Sequence, residues 1–343
     1  MLLVRLAHPN DLPALLKLAH TSGGGLTTLP LDESVLARKL ERAENTRLNL
    51  TQNDDGLFLF VLENTDSGEL VGVSGIETAV GLNQPWYTYS VGVIVHASTE
   101  LNIYHRFPTL FLTNDHTGCS ELCSLYLHPD YRRHQTGALL SKSRFLFMAR
   151  HRELFAEKTI AELRGVVNES GHSPFWEGLG RHFFDMDFSA ADYLSAVTNK
   201  QFIAELMPRY PFYTNLLPTA AQDVIGREHQ DTTPARKMLE QEGFRYEGYV
   251  DIFDAGPTVE TYTDQIRAIR KSVSTNAYQL QKGKAQIQLV SNPSRLAFRC
   301  ALFDNGYSGW HGADVGELWQ QLQLPAEQPA WAVDLYPLGR ETS

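Results

Sequence analysis

The spacing of apolar and polar positions changes along the chain, and the changes mark the elements. "LLVRLA" (2–7) is apolar at nearly every position and reads as a strand. "LPALLKLAH" follows with leucines at helical spacing, Asp11 placed as a cap and Pro13 in the first turn. Asp32 is positioned to cap a second helix, "ESVLARKLERAEN". "FLFVLE" (58–63) and "LVGVSGIE" (70–77), joined by the turn "NTDSGE", predict an antiparallel hairpin. Residues 79–118 show scattered aromatics among polar turns. The apolar strand "ELCSLYL" (121–127) then leads through a short basic loop into a helix, 136–152, where Leu139, Leu140, Phe145, Leu146 and Met148 form one stripe. A strand at 159–167, a helix "SPFWEGLG" and a strand-like "RHFFDMDF" (181–188) complete this part.

From residue 189 the pattern restarts. "YLSAVTNKQFIAELMP" reads as helix, and a later helix ends in Gly243-Phe244 before another strand. "SPFWEGLGRHFF" and "PARKMLEQEGFRYEGY" share one design of short helix, glycine stop and aromatic strand, which suggests an internal duplication. Residues 280–338 alternate short strand-like runs with turns and predict a small β-rich tail.

Composition narrows the function. The chain has 343 residues, 43% hydrophobic and 20% charged, enough for two domains or one domain with an insertion. A net charge of −10 argues against a nucleic-acid or anionic-membrane partner and is compatible with a small cationic substrate. Cys119, Cys123 and Cys300 show no metal spacing, so no metal is expected, and the reading is reduced thiols in the cytoplasm. The N-terminus lacks the basic region and cleavage site of a signal peptide, and no apolar run approaches the ~18–20 residues of a membrane span.

The chemistry concentrates around "RRHQTG" (132–137). A strand, a basic loop and a helix start make an anion site, because the first N–H groups of a helix have no internal acceptor. The backbone from Arg133 through Gln135, Thr136 and Gly137 to Ala138 would face a pyrophosphate, with Arg132 or Arg133 adding charge. A plain solvated helix start fits the same residues.

The order of strand, two helices, hairpin, strand, phosphate loop, helix and strand resembles the GCN5-related N-acyltransferase (GNAT) superfamily, which passes acyl groups from acyl-coenzyme A to amines. Its loop reads R-x-x-G-x-G. Arg132 and Gly137 match it and Gln135 departs from it. Longer blocks, including "GGGLTTLP" (23–30), "PTLFLTNDHTGCSELCSLYLHPDYR" (108–132) and "DIFDAGPT" (251–258), resemble the arginine N-succinyltransferase family over residues 1–270. The resemblance implies an α+β, GNAT-type acyl-CoA acyltransferase fold, duplicated in two halves. One half, 1–188, binds the coenzyme. The other, 189–275, contributes to the active site, and a β-rich element covers 276–343. It implies succinyl transfer from succinyl-CoA to the α-amine of L-arginine, with ornithine or another basic amino acid as the alternative acceptor. A non-catalytic coenzyme-binding subunit is the non-enzyme alternative, and a homo-oligomer or a paired paralogous subunit is the expected assembly.

The same resemblance places a coenzyme contact on Leu125, in the strand that ends at Leu127, and a proton donor on His229. Many enzymes of the superfamily carry an acidic tyrosine near the position of Phe175, and "SPFWEGLG" has none, so His229 would protonate the leaving thiolate. A solvated loop histidine is the plain alternative. In "TNDHTGCSE" (113–121), Asp115, His116 and Glu121 are candidates to bind a guanidinium or take a proton from the amine, though Asn114 and Asp115 could instead close a turn. "SGGGLTT" (22–28) is expected to cover the acceptor site, with a plain flexible connector as the alternative.

Overall fold

The computed structural model describes residues 1–21, 29–49, 55–133, 135–168, 170–197, 205–283, 286–306, 314–325 and 327–337. Among the described residues fourteen strands form one sheet. In chain order they are β1 (Leu2–Leu6), β2 (Leu57–Asn64), β3 (Glu69–Glu77), β4 (Thr88–Ser98), β5 (Ile103–Thr113), β6 (Ser120–Leu127) and β7 (Lys158–Glu162), then β8 (Phe212–Tyr213), β9 (Arg245–Val250), β10 (Pro257–Tyr262), β11 (Val273–Thr275), β12 (Ile287–Ser291), β13 (Arg299–Asp304) and β14 (Ala330–Asp334). Across the sheet the order is β11-β14-β12-β13-β1-β2-β3-β6-β7-β10-β9-β4-β5-β8. Residues 1–188, 189–275 and 276–343 all contribute strands to it. Among these fourteen strands only the neighbours β6 and β7 pair in parallel.

The middle strands are buried on both faces, which explains their near-continuous apolar sequence. One face is covered by α1 (Leu12–Thr21) and α2 (Glu33–Asn49), whose Leu15, Leu18, Leu36 and Leu40 pack on Leu57, Leu59, Val61 and Val73. The other is covered by α3 (Thr136–Arg150), whose Leu139, Phe145, Leu146 and Met148 pack on Val4, Phe58, Phe60 and Leu122. Asp32 caps α2 by accepting the N–H groups of Ser34 and Val35. Asp11 instead closes the turn before α1, accepting from His8 N–H and pairing with Arg5.

Helix α3 shows more burial than its stripe predicts, since Ser141, Lys142, Ser143 and Arg144 are buried too. The Thr233–Glu242 and Arg267–Lys271 helices and the end of β14 close over its outer side. Lys142 Nζ meets Glu242 at 3.1 Å and donates to the Leu335 carbonyl at 2.9 Å, and both charged side chains are fully enclosed. Arg267 joins them, 2.7 Å from Glu242 and bonded to the Asp334 carbonyl. Burial pulls the Lys142 ammonium below its usual value, against the pull of Glu242.

Two expectations change. Residues 181–188 are not a strand. Arg181–Phe184 is helical, Asp185 turns with φ of 49°, and another helix starts at Phe188. The aromatics drive this, because Phe184 and Phe188 must both reach Trp176. The shared design with residues 234–249 therefore stops at the glycine. Residues 79–118 hold the two eleven-residue strands β4 and β5, paired from Thr88–Thr113 to Ser98–Ile103.

Candidate active site

Strands β6 and β7 pair only at Ser120–Thr159 and Glu121–Ile160. Beyond these residues they diverge, and β6 keeps its ladder to β3 alone. That ladder carries a bulge: Val73 faces Tyr126 and Gly75 faces Cys123, so β6 holds one extra residue. Ser124 sits at the bulge with φ of 55°, an uncommon conformation for a side-chain-bearing residue. Arg144 braces it from the α3 side, donating to the carbonyls of Gly75 (3.1 Å) and Cys123 (3.4 Å). Burial holds that guanidinium below its ordinary value. Leu125 and Leu127 follow on the stretch of β6 that β7 leaves open, and both are half-buried. An extended arm can add there as a further strand.

The open edge runs into the basic loop. Arg132 Nε donates to the Leu127 carbonyl at 3.0 Å and its guanidinium lies over the Tyr126 ring. Arg133 is exposed. Gln135 has φ of −94°, so a side chain there causes no strain and the missing glycine is explained. Thr136 Oγ1 donates to the Arg133 carbonyl at 2.9 Å and fastens the turn. At Gly137 an added Cβ would meet only a Leu127 methyl at 4.0 Å. Nothing inside the protein therefore requires glycine there, while the N–H groups of Gly137 and Ala138 open the helix toward that space.

His229 lies on the opposite wall. Beyond β7, Leu163 N–H bonds to Pro257 on the β10 side, so by strand alternation the next carbonyl, of Arg164, points toward β6. That carbonyl accepts His229 N–H at 2.7 Å, and Gly165 bridges to Glu228. Through that bond His229 is fixed beside the continuation of β7 past its last pairing with β6. Its Nδ1 accepts Asp231 N–H at 3.2 Å, which leaves the proton of a neutral ring on Nε2. "DIFDAGPT" holds this wall. The buried Asp254 carboxyl accepts Gly165 N–H and Gly256 N–H, and a Cβ at Gly256 would fall 2.1 Å from the Leu163 carbonyl.

The polar cluster divides. His116 is buried, with Nε2 2.8 Å from Glu260 and its ring edge against Tyr249. Its Nδ1 has no partner among the described residues. Glu260 also pairs with Lys158 at 2.7 Å, and the hydrogen bond from His116, with Lys158 behind it, pulls its carboxyl down to about 2. Asp115 accepts from Tyr249 Oη at 2.9 Å rather than closing its own turn, and burial, with Asp115, pushes that phenol up to about 12. Glu121 faces Glu77 across β3, and Glu77 pairs with Arg42 of α2, which also holds Asp55. Asp115 and His116 thus share one network at the closed end of the two strands, and Glu121 belongs to a neighbouring one closer to the bulge. Phe175 is fully buried in the core. Burial, with Glu121 next, drives the Cys123 thiol up to about 12, far from a nucleophile's range. Residues 22–28 lie outside the described residues.

Sequence reasoning did not single out Tyr249, Glu260, Lys158, Arg144, Arg42 or Lys39. Glu260 carried a signal, being a carboxylate in the middle of the buried strand "PTVETY". The cations on α2 and α3 carried none, because charged residues on a helix ordinarily mark its solvated face.

A family model described as arginine N-succinyltransferase beta subunit matches residues 2–268. The chain belongs to the arginine N-succinyltransferase family. Among named members, the arginine N-succinyltransferase of Enterobacter sp. (strain 638) is 53% identical over 304 residues, 88% of each chain. That of Citrobacter koseri is 53% identical over 305 residues, again 88% of each. The solved structure of the arginine/ornithine succinyltransferase subunit AI from Pseudomonas aeruginosa superposes with a TM-score of 0.86 at 34% identity, covering 98% of this chain and 99% of that one. The match to the solved structure extends over the whole fold, and the family gives the class of enzyme, an acyltransferase. Its model ends before β12, although β13 is the strand that pairs with β1.

Proposed function

We propose that this chain transfers succinyl from succinyl-CoA to the α-amine of L-arginine, giving N2-succinyl-L-arginine and CoA. The observation that carries the reading is the open edge of β6, which runs from the Ser124 bulge to the N-terminus of α3 in a chain 53% identical to enzymes of that name. An acyl-CoA cosubstrate follows from the family. Its pyrophosphate would take the N–H groups of Gln135, Gly137 and Ala138, with Arg132 and Arg133 nearby, since the N–H groups of Arg133 and Thr136 already bond to the Tyr131 and Arg133 carbonyls, and its pantetheine arm would pair with the main chain of Leu125.

The neutral amine attacks the thioester carbon directly. The amine proton passes to a carboxylate, for which Glu121 is the candidate nearest the bulge along β6, with Asp115 and His116 further back. The intermediate then breaks its C–S bond, and the thiolate, whose thiol would titrate near ~8.5, takes the Nε2 proton of His229 in its imidazolium form, which returns to the neutral ring whose Nδ1 accepts Asp231 N–H. The carboxylates on this face suit a guanidinium, which they can grip through two parallel hydrogen bonds. Buried, unpaired cysteines fit the cytoplasmic setting expected from the sequence. The Pseudomonas relative is named as a subunit, which favours assembly with like or paralogous chains.

That relative is also named for ornithine, so ornithine is the second acceptor to test. Purified protein is mixed with succinyl-CoA and arginine, ornithine or lysine, and thiol release is followed. Fastest release with arginine is expected. Equal or faster release with ornithine would transfer the assignment to that amine. Tight CoA binding without release under any condition would leave a non-catalytic subunit.

A further inference from the structure

We propose that Lys39 reads the distal carboxylate of the succinyl group and so sets the acyl preference of this site. The inference rests on the reading of the chain as a succinyl-CoA enzyme and goes one step into its specificity. An arm that starts at the N-terminus of α3 and runs back along β6 cannot pass the point where β6 closes on β7, at Glu121 and Ile160. Its thioester must therefore stop near the bulge. Lys39 of α2 reaches that place, with Nζ donating to Ser124 Oγ at 2.9 Å. Beyond the thioester carbonyl a succinyl chain spans on the order of 5 Å to its carboxylate, a few C–C bonds in all.

Electrostatics requires a cation there. Glu121 and Glu77 face one another beside the bulge, so an acyl group carrying a carboxylate enters a region that already holds negative charge. An acyl chain ending in a methyl group meets no such repulsion. The other cations near the bulge are less suitably placed. Arg144 approaches from the α3 side and holds the carbonyls of Gly75 and Cys123. Arg42 lies a turn further along α2, gripped by Asp55 and Glu77. Among the described residues, Lys39 is the cation whose side chain bonds to the bulge residue on the α2 side.

The test compares succinyl-CoA with butyryl-CoA, which has the same chain length and a methyl in place of the carboxylate, using arginine as acceptor. The readout is the ratio of the two kcat/KM values. Lys39→Met should lower that ratio about 10- to 100-fold, the usual weight of a charge-assisted hydrogen bond, and Lys39→Arg should restore most of it. Free-CoA affinity, measured by titration, confirms that each variant keeps the coenzyme site. If both kcat/KM values fall together and the ratio stays constant, Lys39 only props the bulge and the proposal is overturned. An unchanged ratio with unchanged rates overturns it as well. A wild-type protein that prefers butyryl-CoA would overturn the succinyl-CoA function itself, a result distinct from either.

Discussion

Two groups of charged side chains flank the sheet, one on each face, and they are built differently. On the α3 face Lys142, Glu242 and Arg267 close on one another and on the carbonyls of Asp334 and Leu335, with Lys142 and Glu242 sealed from water and Arg267 mostly covered. On the α2 face the carboxylates Asp55, Glu77, Asp115, Glu121 and Glu260 share their surroundings with Arg42, Lys39 and Lys158 among the described residues, and His116 Nδ1 finds no acceptor or donor there. The first group ties distant segments of chain together. The second leaves carboxylates beside the Ser124 bulge and, at the closed end of β6 and β7, an unmatched ring nitrogen, which is what a site for a cationic amine needs and what a purely structural cluster avoids.

The contrast can be broken from either side. The largest effect should come from the cleft wall. Replacing His229 with Ala should lower kcat about 10²–10⁴-fold while the Kd for succinyl-CoA and the melting temperature stay close to wild type. More than half the normal kcat would remove His229 as the proton donor and leave water or His116. The clamp should respond in the opposite sense. Glu242→Ala strands two buried cations and should cost about 3–5 kcal/mol in urea unfolding, with Lys142→Met/Glu242→Leu recovering part of it. A loss below ~1 kcal/mol would show that the clamp does not hold the fold.

Smaller effects sharpen the picture. Gly137→Val should weaken coenzyme binding roughly tenfold with little change in stability, because the added methyls enter space that only a ligand would fill. Gln135→Gly should keep or slightly improve the affinity, since the backbone there already has an ordinary conformation. A large loss on that change would make the glutamine side chain a ligand. The smallest effect is a pH limb. Glu260 is held down to about 2 from an ordinary 4.5, so its ionised form favours the folded state. Its contribution is complete above about pH 4.5 and fades as pH falls toward 2. Glu260→Gln should therefore flatten the acid limb of thermal stability, and an identical limb in both proteins would show that the pairing with His116 and Lys158 adds nothing.

Much of the architecture was legible because burial left a period in the sequence. The hairpin of β2 and β3, the strand β6, the helix α3 and the Asp32 cap all follow from apolar spacing and one capping residue. The β4–β5 ribbon was not legible. From Val93 to Arg106 most side chains on both of its faces are exposed, so neither face imposes an alternation. Residues 181–188 misled because Phe183, Phe184 and Phe188 read as a strand while two of them turn inward to Trp176. At the site, the loop and the coenzyme strand were visible as short contiguous motifs. The partners of His116 were not, since Tyr249 and Glu260 reach it from more than a hundred residues away, and only the fold brings them together.

The pairing of β1 with β13 has a consequence for how the protein is made. Leu3 meets Ala301, so the two strands leave the ribosome about 300 residues apart. Until the late segment emerges, one edge of β1 has no neighbour, and the outer side of α3 lacks the carbonyls of Asp334 and Leu335 that complete the clamp. Contacts this distant in sequence form slowly, and an unpaired edge invites pairing with another nascent chain. The sheet is therefore finished only once β13 and β14 have left the ribosome, and a chain cut short before residue 299 should need chaperones or precipitate, however intact its coenzyme loop.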